Sequence, residues 1–238
     1  MSPITLADHI FFGLLAFVLP LLLLWRNNPG QMVIPQNSRL KNRIYWMNSA
    51  VLWVGAIIVA ALWFFGGHSF QALGFRLPVA SAFPHWMLLT IGFVLLYFMD
   101  AMFSWNSDDE NSAAAILPAN WHEFAHFGSI VSFSAAFCEE IVFRGFLVTY
   151  LLTLTEGESY STLIAVFGSA FVFGIVHIYQ GWSALFKIML LSILFAWLFI
   201  LTRSLLLLIL LHFVVDFSSG ILAVVRTRYE KTLLNQYR

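Results

Sequence analysis

About seven apolar runs, each near the length of a membrane span and separated by short polar or Gly/Pro breaks, constrain this chain more than any other feature. They fall at residues 10–25, 44–65, 85–104, 127–152, 160–179, 184–201 and 204–225. A helix needs about 20 apolar residues to cross the hydrocarbon core of a bilayer. Interiors rich in Leu, Phe, Ile, Val and Ala at that length favour helices over the alternating ten-residue strands of an outer-membrane barrel. The expected fold is therefore all-α, a polytopic transmembrane helical bundle of about seven spans. Thr202, Arg203 and Ser204 make a very tight connection between the last two runs. An eighth span follows if a segment such as 110–127 re-enters the membrane.

Composition points the same way. With 61% hydrophobic and 10% charged residues and a mean hydropathy of +0.84, a water-soluble domain of 238 residues would expose large apolar patches. We expect one membrane domain, 1–238, in which residues 1–70 form two N-terminal spans and 71–225 a core. The 12 basic and 12 acidic residues cancel, and no basic stripe suggests a nucleic-acid partner. The partner implied by composition is the lipid bilayer. Cys138, the single cysteine, excludes an intrachain disulfide and a multi-cysteine metal cluster, and reads as a small buried residue. Residues 10–24 could pass for a signal peptide. However, no basic residue precedes them and Trp25, Arg26, Asn27, Asn28 and Pro29 follow in place of a small-residue cleavage site, so the segment reads as a retained first span.

Lys and Arg in short loops are retained on the cytoplasmic side. Arg26, Arg39, Lys41 and Arg43 follow the first run, and Arg226, Arg228, Lys231 and Arg238 follow the last. Seven spans then place the N-terminus outside and the C-terminus in the cytoplasm, the expected membrane being a bacterial inner membrane. Arg76 and Arg203 fall outside and Lys187 inside, whereas the 105–123 loop, with Asp108, Asp109 and Glu110, has no Lys or Arg and casts no vote. No internal repeat of the transporter kind is visible.

Against this background the buried charges stand out, because one ionisable group at the bilayer centre costs about 2.5–3.5 kcal/mol on insertion scales. The fourth run contains Phe137-Cys138-Glu139-Glu140-Ile141-Val142-Phe143-Arg144-Gly145. Glu140 and Arg144 lie one helical turn apart, where a bidentate ion pair can form. Glu139 points about 100° away from Glu140, so the two acids can serve different ends. One is neutralised by arginine; the other is left to act as a general base in a dry site. The fifth run ends Phe173-Gly174-Ile175-Val176-His177, and the seventh carries His212-Phe213-Val214-Val215-Asp216, with His212 and Asp216 again one turn apart. Lipid will not accept these groups, so three helices must turn them toward one another. A glutamate and two histidines in such a pocket can activate water directly, or as ligands of a Zn²⁺ whose bound water becomes acidic. The ligands would be Glu139, His177 and His212. His212 and Asp216 could orient each other, or donate to a developing oxyanion if Asp216 is protonated. Polar glue between helices accounts for any one histidine, but the full set exceeds what packing requires.

A second pattern competes by letter. His122-Glu123-Phe124-Ala125-His126 matches H-E-x-x-H, in which two histidines bind zinc and the glutamate is the base. Its setting, after Pro118 and Asn120 at a span entrance, suits an interfacial amphipathic turn. The extended metzincin form is absent, since Ser132 stands where that form has a histidine. Asp216 could supply a later zinc ligand.

The ordered set E-E-x-x-x-R at 139–144, F-x-x-x-H at 173–177 and H-x-x-x-D at 212–216 resembles the CAAX-protease and bacteriocin-processing (CPBP, or Abi) family of intramembrane proteases. Leu73-Gly74-Phe75-Arg76 is similar to a short segment common ahead of that family's core, so the resemblance covers about residues 70–225. It implies that Glu139 and His177 activate the attacking water. Glu140 and Arg144 would match the supporting acid and arginine, and His212 and Asp216 the pair assigned to oxyanion stabilisation or metal binding. Asp216 stands where the prenyl-protease branch usually has Asn, a departure that bears on CAAX substrates. Family members are described both as zinc-dependent and as glutamic enzymes needing no metal. The implied partner is a membrane-associated peptide or protein, whether a prenylated C-terminus, a bacteriocin leader or a C-terminal sorting tag. Two other classes stay open at this point: a transporter or proton relay built on the same buried groups, and a non-catalytic scaffold. A relay predicts polar groups strung along the bundle; catalysis predicts clustering.

Overall fold

The computed structural model describes residues 4–26, 37–80, 83–104 and 116–236. Asp108, Asp109, Glu110, Arg238 and Asn27 to Pro29 lie outside the described residues, as does part of the conjectured re-entrant segment. From Ile116 onward that segment is a turn leading into a long helix.

Among the described residues every regular element is helical. Helix α1 (residues 6–26) starts at a capping box, with Thr5 accepting from the Asp8 N–H and Asp8 accepting from the Thr5 N–H. Helix α2 (Ser38–Phe65) is capped by the Asn37 side chain, and the short α3 (Phe70–Leu73) by Ser69. Helix α4 is Phe83–Ser104; α5 spans 121–154, α6 161–176, α7 Trp182–Thr202 and α8 Leu205–Gln236. Each predicted apolar run therefore lies on a helix. Among the described residues four helical stretches are long and apolar enough to cross a membrane: Leu6–Trp25, Ser38–Phe65, Ala184–Thr202 and Leu205–Leu234. Phe83–Leu95 and Ser161–Val176 are shorter apolar helices.

The outer surface is apolar, and a few charged groups are buried within. Trp25 and Phe65 are 86% and 84% exposed, whereas Glu140 is 0% and Arg144 3% exposed. Apolar side chains that face outward are at home in lipid, and polar ones that face inward avoid it. Helix α5 is the axis of this arrangement, with residues 138–151 buried without a break. A helix apolar all round belongs in the middle of a bundle. It packs against α2 and α8, meets α1 through Phe146 and Phe11 (ring centroids 5.0 Å apart) and α6 through Phe143 and Phe173 (4.7 Å). Helix α7 lies against α6 and α4.

Two local features aim the site. First, α5 is not α-helical throughout: it widens to i→i+5 bonding over Phe127–Val131 and again over Ala135–Val148, the stretch that holds both glutamates and the arginine. The wider turn reduces the angle between successive side chains, so Glu139 and Glu140 can both face polar partners. Second, Leu73-Gly74-Phe75-Arg76 clasps the tight turn between α7 and α8. The Leu205 N–H donates to the Gly74 carbonyl (2.8 Å), the Ser204 hydroxyl to the Arg76 carbonyl (2.6 Å), and the Val79 N–H to the Thr202 carbonyl (3.1 Å). Gly74 has φ of +111°, and a Cβ there would come within 2.8 Å of Phe199 and 2.9 Å of Leu205, so only glycine suits it.

Candidate active site

The three motifs meet at one place. Helix α6 ends at Val176, and the His177 imidazole caps it, Nδ1 lying 2.7 Å from the Phe173 carbonyl oxygen. A carbonyl only accepts, so Nδ1 carries the hydrogen and a neutral ring presents a lone pair on Nε2. That Nε2 faces Glu139 Oε2 at 3.9 Å. Among the described residues Glu139 makes no hydrogen bond, although it is buried. Both groups are thus pointed at each other and uncommitted.

Glu140 is the reverse. Its Oε1 accepts from Arg144 Nη1 (3.0 Å) and from His212 Nδ1 (2.8 Å), while Oε2 has no hydrogen-bond partner among the described residues. The expected bidentate pair does not form, because Arg144 sends Nη2 to the Ser192 hydroxyl on α7 (3.0 Å). The guanidinium lies between two rings, 4.5 Å from the Phe173 centroid and 5.2 Å from that of Phe195. His212 and Asp216 share a face of α8 as the spacing requires, but Nε2 and Oδ2 are 3.7 Å apart, beyond a hydrogen bond. Phe173 joins the two groups, its ring centroid lying 4.5 Å from the Arg144 guanidinium and 4.6 Å from the His177 ring, so the six side chains form one cluster.

Three contacts escaped the sequence reading. Ser192 is a lone hydroxyl within the apolar stretch Leu190-Leu191-Ser192-Ile193-Leu194, and a buried arginine needing a second acceptor was the signal that could have found it. Phe195 follows one turn later and also meets the His212 ring at 6.0 Å, edge-on. Tyr179 stacks on His177 at 6.1 Å; nothing in its spacing marked it.

The H-E-x-x-H pattern lies at the start of α5, and its glutamate is fully engaged. Asn120 caps the helix by accepting from the Glu123 N–H (3.0 Å). The Glu123 carboxylate accepts from the Ser38 hydroxyl (2.6 Å), the Ala119 N–H (2.9 Å) and Asn120 Nδ2 (2.9 Å), and pairs with Lys41 Nζ at 3.3 Å. Burial alone would raise the carboxyl, but the Ala119 N–H, the Ser38 hydroxyl and the Lys41 ammonium outweigh it and hold it below the usual range. Both histidines are less buried than Glu123, with ring centroids 5.3 Å apart. Among the described residues no group of three or more His, Cys, Asp or Glu side chains is placed to hold a metal ion, here or at Glu139, His177 and His212.

An apolar groove of about 380 Å³ runs between α5 and α8, lined by Phe124, Phe133, Phe213 and Phe217. Two of these bracket Asp216 in sequence.

No curated protein and no solved structure matches the chain. Residues 121–218, which contain all six clustered side chains, match a protein family described as type II CAAX prenyl endopeptidase Rce1-like. That segment is similar to the Rce1-like family, consistent with the CPBP resemblance carried by the three motifs.

Proposed function

We propose that this integral membrane protein is an intramembrane endopeptidase that hydrolyses a peptide bond of a membrane-associated protein or peptide precursor. The observation that carries the reading is the pairing of an uncommitted carboxylate with an uncommitted imidazole nitrogen 3.9 Å away, inside an otherwise apolar bundle. A water held between them donates one hydrogen to Glu139 and one to His177 Nε2. Its lone pair then faces the scissile carbonyl, and Glu139 takes the proton as attack proceeds and gives it to the leaving amine as the C–N bond breaks. His212, with Glu140 at Nδ1 and Asp216 near Nε2, can hold a hydrogen on Nε2 and offer it to the developing oxyanion. Glu140 and Arg144 support that ring.

Clustering on α5, α6 and α8 favours hydrolysis over a relay, which needs groups at successive depths. The groove lined by Phe213 and Phe217 suits a substrate with an apolar anchor, and the name of the matched family makes a prenylated CAAX peptide the first probe to try. The finer topology of this reading is seven spans, N-terminus outside and C-terminus cytoplasmic, in a bacterial inner membrane.

The test compares the N- and C-termini of membrane proteins in cells carrying wild type or Glu139→Ala. New termini that depend on Glu139 support the reading. Identical cleavage patterns, together with no cleavage of a farnesylated CAAX peptide by the purified protein, overturn it.

A further inference from the structure

Helix α7 carries none of the three motifs, yet Ser192 and Phe195 reach the site from it. Arginine and carboxylate prefer the parallel two-bond geometry when nothing competes. Here Ser192 takes Nη2 at 3.0 Å, so Arg144 reaches Glu140 through one oxygen only, and that same Oε1 stays aligned with His212 Nδ1. The bare, buried Oε2 is the mark of this arrangement. Released from Ser192, the guanidinium would turn to take both oxygens and swing the carboxylate away from His212. Phe195 opposes the same rotation, with one face beside the guanidinium and an edge-on contact to the His212 ring. Ser192 is 1% and Phe195 5% exposed, so no lipid competes for either.

We infer that Ser192 and Phe195 are positioning residues that act through Arg144 and Glu140 to fix the aim of the His212 ring. Their consequence for turnover rests on the protease reading given above; the positioning itself does not.

The decisive experiment is ¹⁵N spectroscopy of the full-length protein, histidine-labelled, in detergent micelles, with His212 assigned by its loss in His212→Gln. Ser192→Ala should move the His212 ring resonances and leave those of His177, which is tied to the Phe173 carbonyl. Ser192→Thr, which keeps the hydroxyl, should restore the wild-type spectrum, and Phe195→Leu should shift His212 in a folded protein even if the serine variant accumulates poorly. An unmoved His212 in the folded variants overturns the inference, as does an equal shift in alanine and threonine. On the farnesylated CAAX peptide, kcat of Ser192→Ala should fall about tenfold with KM unchanged, and Ser192→Thr should stay within about threefold of wild type. A wild-type protein without turnover defeats the protease reading alone, and the spectra still decide the positioning.

Discussion

The start and the middle of α5 carry glutamates in opposite circumstances. Glu123, at the entrance, sits in the better-known motif, and its oxygens are occupied by Ser38, Ala119, Asn120 and Lys41. Glu139, four turns deeper, sits in a looser pattern and has no hydrogen bond among the described residues. A saturated carboxylate is part of the scaffold, because any proton it took would cost the bonds that hold it. An unsaturated one in a dry bundle has only its neighbours and its substrate to interact with. The environment, more than the letters, distinguishes a reactive acid from a structural one.

That contrast can be broken most forcefully at the chemistry. Glu139→Gln, which keeps shape and removes the base, should lower kcat on the farnesylated peptide by about 10²–10⁴-fold. Glu123→Gln should leave kcat within about threefold. Reversal of the two results would move the active site to the entrance of α5.

Stability should respond the other way. Glu123→Ala leaves Lys41, itself buried, without its counter-charge, and should cost about 3–5 kcal/mol in thermal or denaturant unfolding of the detergent-solubilised protein. Because the Glu123 carboxyl is held below its unfolded value, its contribution is complete above an unfolded pKa of about 4.3 and is lost as pH falls through the folded value. Acid sensitivity of unfolding that is equal in wild type and Glu123→Gln would show that this pair contributes little.

The smallest effects belong to the histidines of the entrance motif. His122→Ala combined with His126→Ala should change turnover by no more than about twofold, and a chelator such as 1,10-phenanthroline should leave it unchanged. Loss of activity on chelation, restored by zinc, would instead recast Glu139, His177 and His212 as metal ligands that rearrange to bind.

How much of this was legible depended on sequence separation. The seven apolar runs and the pairing of Glu140 with Arg144 are local, and a 3.6-residue repeat exposes them. The convergence of α5, α6 and α8 also followed, since lipid leaves buried charges nowhere else to go. What could not be read were choices among distant partners. His212 lies 72 residues from Glu140, so its preference for that carboxylate over the nearby Asp216 is a fact of packing. Glu123 gave no sign that Ser38, 85 residues earlier, would bond it. The widening of α5 was equally hidden, because its residues have no composition that separates i→i+5 from i→i+4 bonding.

The clasp of Gly74 and Arg76 on the turn before α8 has a consequence for the life of the molecule in the cell. The chain is made in order, and the loop waits through about half of synthesis, 128 residues separating Arg76 from Ser204, before its partner emerges. Glu139 and His177 are in place once α6 is inserted; His212 and Asp216 arrive with the final helix and are aimed when the clasp closes. On the proposed reading, a nascent chain therefore holds its water-activating pair without the groups that stabilise the oxyanion. On that reading, full activity waits until α8 docks.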